Sequence, residues 1–339
     1  MKYIQGVDVF RAIAIISVIA IHTTPFNYDD NSQILAFAFI NQISRYAVPL
    51  FFIFAGYFWA KKVSEQPNQA IKLSIPNIKR LLFLFIFWNL LFLIPFDPEL
   101  WFSQGGFSQQ LMENISYSTE SPVRTMIYGT KSHLWFLMSL IGAIVISAFF
   151  MQFRQAKALY VFAAALYVFA VLAKAYAHTP IGIDLGFNTR NGPFFGTIFF
   201  VTGIALSHMK IEDTWIKSGV LLFLAGFGLH AFETYILWSQ YDLDLTNDFV
   251  FSTYFMSVGV AVIALSNHKR IQIDSLSSIG HLTLGIYLVH FIFVDVFQNV
   301  DADVNHPIWE VGYVFIVFAL SALLTLILKK NKLSKKLVS

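Results

Sequence analysis

The chain contains no cysteine, which excludes disulfides, thiolate nucleophiles and thiolate-bound metal, so any covalent chemistry must use another nucleophile. Charge is scarce too. Asp, Glu, Lys and Arg make up 13% of the 339 residues, against roughly 25% in soluble domains. A glycine-rich phosphate loop, a GxSxG elbow and an HExxH zinc pair are all missing, which removes the common soluble-enzyme templates. No internal repeat is evident, so an inverted-repeat architecture gains no support. A cleavable leader is not indicated either: the first apolar stretch holds Arg11 and His22 and lacks a small-x-small site before the polar residues near position 27, so it reads as a retained helix.

What is present is apolar surface. Hydrophobic residues reach 57%, aromatics 17% and phenylalanine alone 37 positions, with mean hydropathy +0.63. A bilayer core needs roughly 20 mostly apolar residues per helix. Cutting at the polar breaks gives ten such stretches, near 7–25, 44–61, 77–96, 133–153, 157–176, 193–208, 215–237, 249–267, 282–299 and 307–329. The expectation is an all-α, polytopic integral membrane protein of about ten transmembrane helices, with N and C termini cytoplasmic. Lys and Arg test the layout independently, because they are enriched in cytoplasmic loops. Of the 23 such residues, only Arg45, Arg124, Lys131, Lys174 and Arg190 fall on outer segments and Arg11 lies within a span, which leaves seventeen on the inner side. Residues 1–339 read as one domain, with an external loop at about 97–132 and a basic cytoplasmic tail at about 329–339.

Ionisable groups at membrane depth are costly and default to function. Asp8, Arg11 and His22 lie three and eleven residues apart, and eleven residues return to within about 20° of the same helix face. Arg11 sits about one turn inside the cytoplasmic boundary, and His22 about 16 Å further along. An interfacial ion pair with His22 ending the helix would also explain the three; a functional stripe explains why all share one face. The second stretch carries Pro49 and Gly56, which suits a cavity wall or close helix packing.

Several segments carry a resemblance. GVDVFRAIAIISVIAIH at the start, RYAVPLFFIFAGYF at 45–58, Lys79-Arg80-Leu81, His133-Leu134-Trp135-Phe136-Leu137, Thr189-Arg190-Asn191-Gly192-Pro193-Phe194-Phe195 and the run from Ile279-Gly280 to Ile286-Tyr287-Leu288-Val289-His290 fall in order along the chain. Together they resemble the acyltransferase 3 family, including O-acetyltransferases of the enterobacterial common antigen type. Ala55 and Thr283 stand where serine is common in that family.

The resemblance implies a membrane-bound O-acyltransferase that moves an acyl group, commonly acetyl from acetyl-CoA, to a hydroxyl of an extracytoplasmic sugar in a glycan or lipid-linked glycan. Acyl transfer needs a base for the attacking hydroxyl and donors for the oxyanion. His22 is the expected base. Arg11 would hold the donor or stabilise negative charge, and Asp8 would orient Arg11. Arg80, Lys79 and Arg45 are the expected acyl-donor-binding residues, although the positive-inside rule accounts for inner-surface charges equally well. His133, Arg190, Asn191, Glu233 and His290 are expected on the acceptor side, with Glu233 as an alternative partner for an arginine. No permanently bound cofactor or metal is expected; acyl-CoA, glycan and membrane lipid are the expected partners, nucleic acid is not, and the location is a cell membrane, bacterial plasma or inner. Transfer would be completed in this domain or handed to a separate protein, either directly or through an acylated Tyr or His. A transporter or flippase for a glycan or small anion, and a structural or sensory membrane protein, remain open.

Overall fold

A computed structural model of the protein describes residues 3–26, 31–297 and 307–339. Among the described residues there is no strand. The helices are α1 (Gln5–Thr23), α2 (Asn31–Ile43), α3 (Ala47–Val63), α4 (Ala70–Leu91), α5 (Pro98–Phe102), α6 (Gly106–Glu120), α7 (Pro122–Tyr128), α8 (Trp135–Gln152), α9 (Ala156–Leu172), α10 (Pro193–His208), α11 (Ile216–Tyr241), α12 (Thr253–Ser266), α13 (Asp274–Gly280), α14 (Thr283–Phe297) and α15 (Pro307–Lys330). Each of the ten apolar stretches overlaps one of them. Among the described residues, five helical segments are long and apolar enough to cross a membrane: Gln5–Thr23, Leu35–Val63, Trp135–Gln152, Asp213–Tyr241 and Ile308–Lys330. A sixth arises if α13 and α14, bent by 78° at their junction, count as one broken span. The apolar helices α9, α10 and α12 are shorter, and α4 carries Lys72, Lys79 and Arg80 along its length. Asp29, Asp30, Asp301 and Asp303 lie outside the described residues.

Helices α3 and α10 cross at the centre of the bundle, where only glycine allows their contact. A Cβ on Gly56 would stand 1.9 Å from the carbonyl oxygen of Phe200, and one on Gly203 would stand 2.0 Å from that of Ile53. Without a water-driven force between helices in lipid, such backbone contact supplies packing energy. Around this pair, α1 packs on α3 and on α12 to α15, α4 and α10 pack on α8, and α11 packs on α12.

One end of the bundle gathers the basic residues. There Lys61 on α3 donates to the Ser207 carbonyl of α10, Lys329 on α15 donates to the His281 carbonyl, and Gln5 on α1 donates to Asp274 of α13. The segment after α15 does not hang free as a tail. Val338 is buried, and the Trp88 indole N–H on α4 donates to the Leu337 carbonyl at 2.8 Å. At the opposite end the stretch expected as a long loop folds into α5, α6 and α7. The first of these starts with Asp97 accepting from the Glu99 N–H and Pro98 in the first turn, where its missing donor costs nothing.

Candidate active site

Two cavities enter the bundle from its two ends. The first, about 460 Å³, opens at the basic end and is lined by Arg11, Lys62, Arg80 and His281 among apolar walls from Phe51, Phe54 and Phe136. Arg11 is fixed on three sides. Its Nη1 donates to Asp8 Oδ1 at 2.9 Å, and its guanidinium lies 5.2 Å from the Phe58 ring centre and 5.7 Å from that of Phe54. The Asp8–Arg11 pair expected from the sequence is therefore formed. Asp8 also faces His281 Nε2 at 3.6 Å. His281 stands exposed at the bend between α13 and α14.

Deeper than this cavity lies a cluster of three histidines from three helical regions. The rings of His22 and His290 are 5.4 Å apart, and those of His133 and His290 are 5.0 Å apart. His290 Nδ1 meets the Tyr287 carbonyl at 2.6 Å. A carbonyl only accepts, so Nδ1 carries the proton and Nε2 keeps its lone pair. That Nε2 is buried without a hydrogen-bond partner among the described residues. Tyr287 links the cluster to the first cavity: its side chain lines that cavity while its hydroxyl donates to the His133 carbonyl. Among the described residues, no group of three or more His, Asp or Glu is arranged to hold a metal ion.

The second cavity, about 1150 Å³, opens at the other end. It is lined by Arg124, Tyr128, Lys131, Trp135, Arg190 and Asn191, and by the first residues of α8 and α10. Gly192 at φ +74° turns the chain into Pro193, the first residue of α10, and so places Arg190 and Asn191 at that mouth. Arg190 covers the Trp135 ring at 5.0 Å and donates to Asp248 Oδ1 at 3.1 Å. Asp248 also takes Arg45 at 3.2 Å and stands 3.8 Å from Lys174. Burial pushes the Asp248 carboxyl up, but Arg190, Arg45 and Lys174 outweigh it and hold it at about 2.

Residues 4–328 match the acyltransferase 3 family, described as an acyltransferase domain. The chain belongs to that family. Three curated relatives of this acyltransferase are longer proteins. It is 30% identical over 214 residues to an amino-acid racemase of Enterococcus faecalis, covering 59% of this chain and 27% of that protein. It is 25% identical over 252 residues to a serine/alanine racemase of Enterococcus gallinarum, covering 68% and 33%. With another amino-acid racemase of Enterococcus faecalis it shares 25% over 362 residues, covering 98% and 47%. The chain thus spans less than half the length of these relatives, whose names describe whole proteins. No solved structure matches it.

The structure separates several residues that the sequence grouped. Arg45 is not with the donor-side residues: it stands in the turn before α3, tied to Asp248 and the Thr246 carbonyl, and the 17 residues of α3 put about 25 Å between it and Lys62. Lys79 is exposed on α4, whereas Arg80 lines the first cavity. His133 and His290 are buried between the cavities and line neither. Among the described residues, Glu233 pairs with no arginine. Its carboxylate accepts from the Phe251 and Ser252 N–H groups at 2.9 Å, from the Ser252 hydroxyl, and from Tyr176 at 2.8 Å, so it pins the start of α12. Sequence reasoning gave no role to Tyr287, His281, Trp135 or Asp248, and Tyr287 and Trp135 entered it only as members of motif segments. The Tyr287–His290 spacing of three on a helix was the one local signal among them.

Proposed function

We propose that this membrane acyltransferase transfers an acyl group, acetyl from acetyl-CoA, to a hydroxyl of an extracytoplasmic sugar in a glycan or lipid-linked glycan. In this reading the chain crosses a cell membrane about ten times, both termini are cytoplasmic, and the first cavity is the inner one. The observation that carries it is the order of groups along the bundle. Arg11, Arg80 and Lys62 stand at the first cavity, Tyr287 closes its depth, and His22, His133 and His290 lie beyond. Arg11 and His22 are eleven residues apart on one helix, about 16 Å, of the order of an extended pantetheine arm. Arg11 with Arg80 then grips the phosphates of the donor at one end, while the thioester reaches His22 at the other.

The chemistry balances with this chain's own groups. A nitrogen of His22 takes the proton of the sugar hydroxyl as its oxygen attacks the thioester carbon. The tetrahedral oxyanion collapses, the C–S bond breaks, and the proton returns to the departing thiolate. His290 packs its ring against the imidazole of His22 from one side. Asp8 holds Arg11 for the donor. Two cavities meeting at a barrier would also suit a transporter, and dependence on an acyl donor separates the two readings.

The test uses purified protein in native lipid with radiolabelled acetyl-CoA and a glycan-lipid extract, comparing wild type with folded His22→Ala and Arg11→Ala. Label reaching glycan in wild type and not in His22→Ala is the expected result. Failure of donor binding and transfer with every acyl-CoA tried, in folded protein, overturns the reading in favour of transport.

A further inference from the structure

The basic residues on the face assigned to the outside are few, yet they are not scattered. Positive charge is depleted there by the rule that orients membrane proteins, so the survivors call for a reason. Arg45, Lys174 and Arg190 converge on the single carboxylate of Asp248. Arg190, Lys131 and Arg124 line the second cavity, and among the described residues no Asp or Glu lines it. Lys131 is matched by Asp295 at 2.6 Å, but three cations on one carboxylate leave an excess of positive charge at the Arg190 wall.

A second, independent observation points into the same space. Asn191 lines the cavity and is 2% exposed, and among the described residues neither its amide nitrogen nor its oxygen has a hydrogen-bond partner, nor does the buried Arg190 Nε. Buried polar atoms left without partners are costly unless something fills them. The N-terminal residues of α8 and α10 open onto the cavity as well, adding the positive ends of two helix dipoles. Flat rings complete the wall: Trp135 lies beneath Arg190, and Tyr128 beneath Arg124 at 5.8 Å. Rings of this kind meet the C–H faces of a sugar, while guanidinium groups read an anion by paired hydrogen bonds.

We infer that the second cavity binds an anionic sugar, one bearing a carboxylate or a phosphate, through Arg190, Asn191 and Arg124. The inference rests on the acyltransferase reading for its claim that this sugar is the acceptor. Carboxylate and phosphate are the same chemistry here, an oxyanion between two guanidinium groups and an amide. A uronic acid and a sugar linked through phosphate to lipid are its two sources.

The probes are glucuronic acid, glucose 1-phosphate and methyl glucoside, titrated calorimetrically into the full chain in lipid nanodiscs. Both acids, or one of them, should bind at millimolar concentration with an affinity that falls as salt rises, while the neutral glucoside binds at least tenfold more weakly. Stronger binding of one acid identifies the source. Arg190→Gln should weaken the acids about ten- to a hundredfold, the range for a lost charge-assisted hydrogen bond. Because Arg190 also ties Asp248, Arg124→Gln and Asn191→Asp serve as variants that break no ion pair; both should weaken the acids more than they weaken the glucoside. Equal binding of neutral and acidic sugars, no binding of either acid, or insensitivity to both variants overturns the inference. Labelled transfer separates it from the parent reading. Transfer to neutral glycan as fast as to acidic glycan removes the anionic class and keeps the enzyme. Binding of acids without transfer from any acyl-CoA removes the enzyme and keeps the site.

Discussion

Arg11 reaches the first cavity from within a helix, held by a partner three residues away and two rings of α3, whereas Arg190 reaches the second from a turn, held by a carboxylate 58 residues away. The first cavity is a groove between helices with its cations set into apolar walls. The second is assembled from the ends of helices and the segments between them. Helix-borne groups keep a fixed register along the bundle axis, which suits positioning a long donor against a reacting centre. Turn-borne groups can be exchanged without disturbing the packing of α3 on α10, which suits reading one acceptor rather than another.

The comparison can be broken at its midpoint first. His22→Ala should lower acyl transfer by about a hundred- to ten-thousandfold, the range for losing a positioned base, while leaving donor binding at the first cavity and sugar binding at the second as they were. Single-turnover transfer alongside equilibrium binding checks this. Arg11→Gln should next affect only the first cavity, weakening acyl-CoA by about ten- to a hundredfold. Asp8→Asn should act in the same direction by less, because it loosens Arg11 without removing it. A change in sugar affinity in either variant would erase the distinction between the two cavities.

Gly56→Ala tests the shared scaffold: the added methyl meets the Phe200 carbonyl, and overpacking of this kind costs about 1–3 kcal/mol. Thermal unfolding in detergent should shift down by several degrees, with both cavities impaired together. The smallest effect belongs to the turn-built side. The Asp248 carboxyl is held at about 2, below the ordinary 3.8, so its contribution is fully present above the ordinary value and fades as pH falls through the depressed one. Near-ultraviolet circular dichroism of Trp135 and its neighbours should stay constant down to about pH 4 and change towards pH 2. Asp248→Asn should give the acid form of that spectrum at neutral pH, and an unchanged spectrum would show that the three cations do not depend on this carboxylate.

The same contrast explains what the sequence disclosed. Local spacing made Asp8, Arg11 and His22 visible as a stripe, and apolar length made the helices visible, because both are encoded within one helix. The cluster around Asp248 was invisible for the opposite reason: Arg45, Lys174, Arg190 and Asp248 come from four separate segments, and nothing in any of them announces the others. Arg45 was grouped with the donor-side residues on that account, since charge type was legible while its place at the far end of α3 depended on a partner about two hundred residues away. Glu233 shows a further limit. A carboxylate among apolar residues calls for donors, but backbone N–H groups at the start of α12 satisfy it as well as any arginine would. The family's motif segments carried His133 and His290 to notice, and the fold then placed them with His22, between the cavities.

The buried pair Leu337 and Val338 has a consequence for how the molecule is made. Helix α4 packs on α8 and α3, and α14 packs on α15 and α1. The Leu337 carbonyl takes the Trp88 N–H of α4, while Val338 approaches Gly285 of α14 closely enough that an added Cβ there would stand 3.1 Å from it. A ribosome synthesises α4 some 250 residues before this clasp. The seam beside Trp88 therefore stays open until the segment after α15 has emerged.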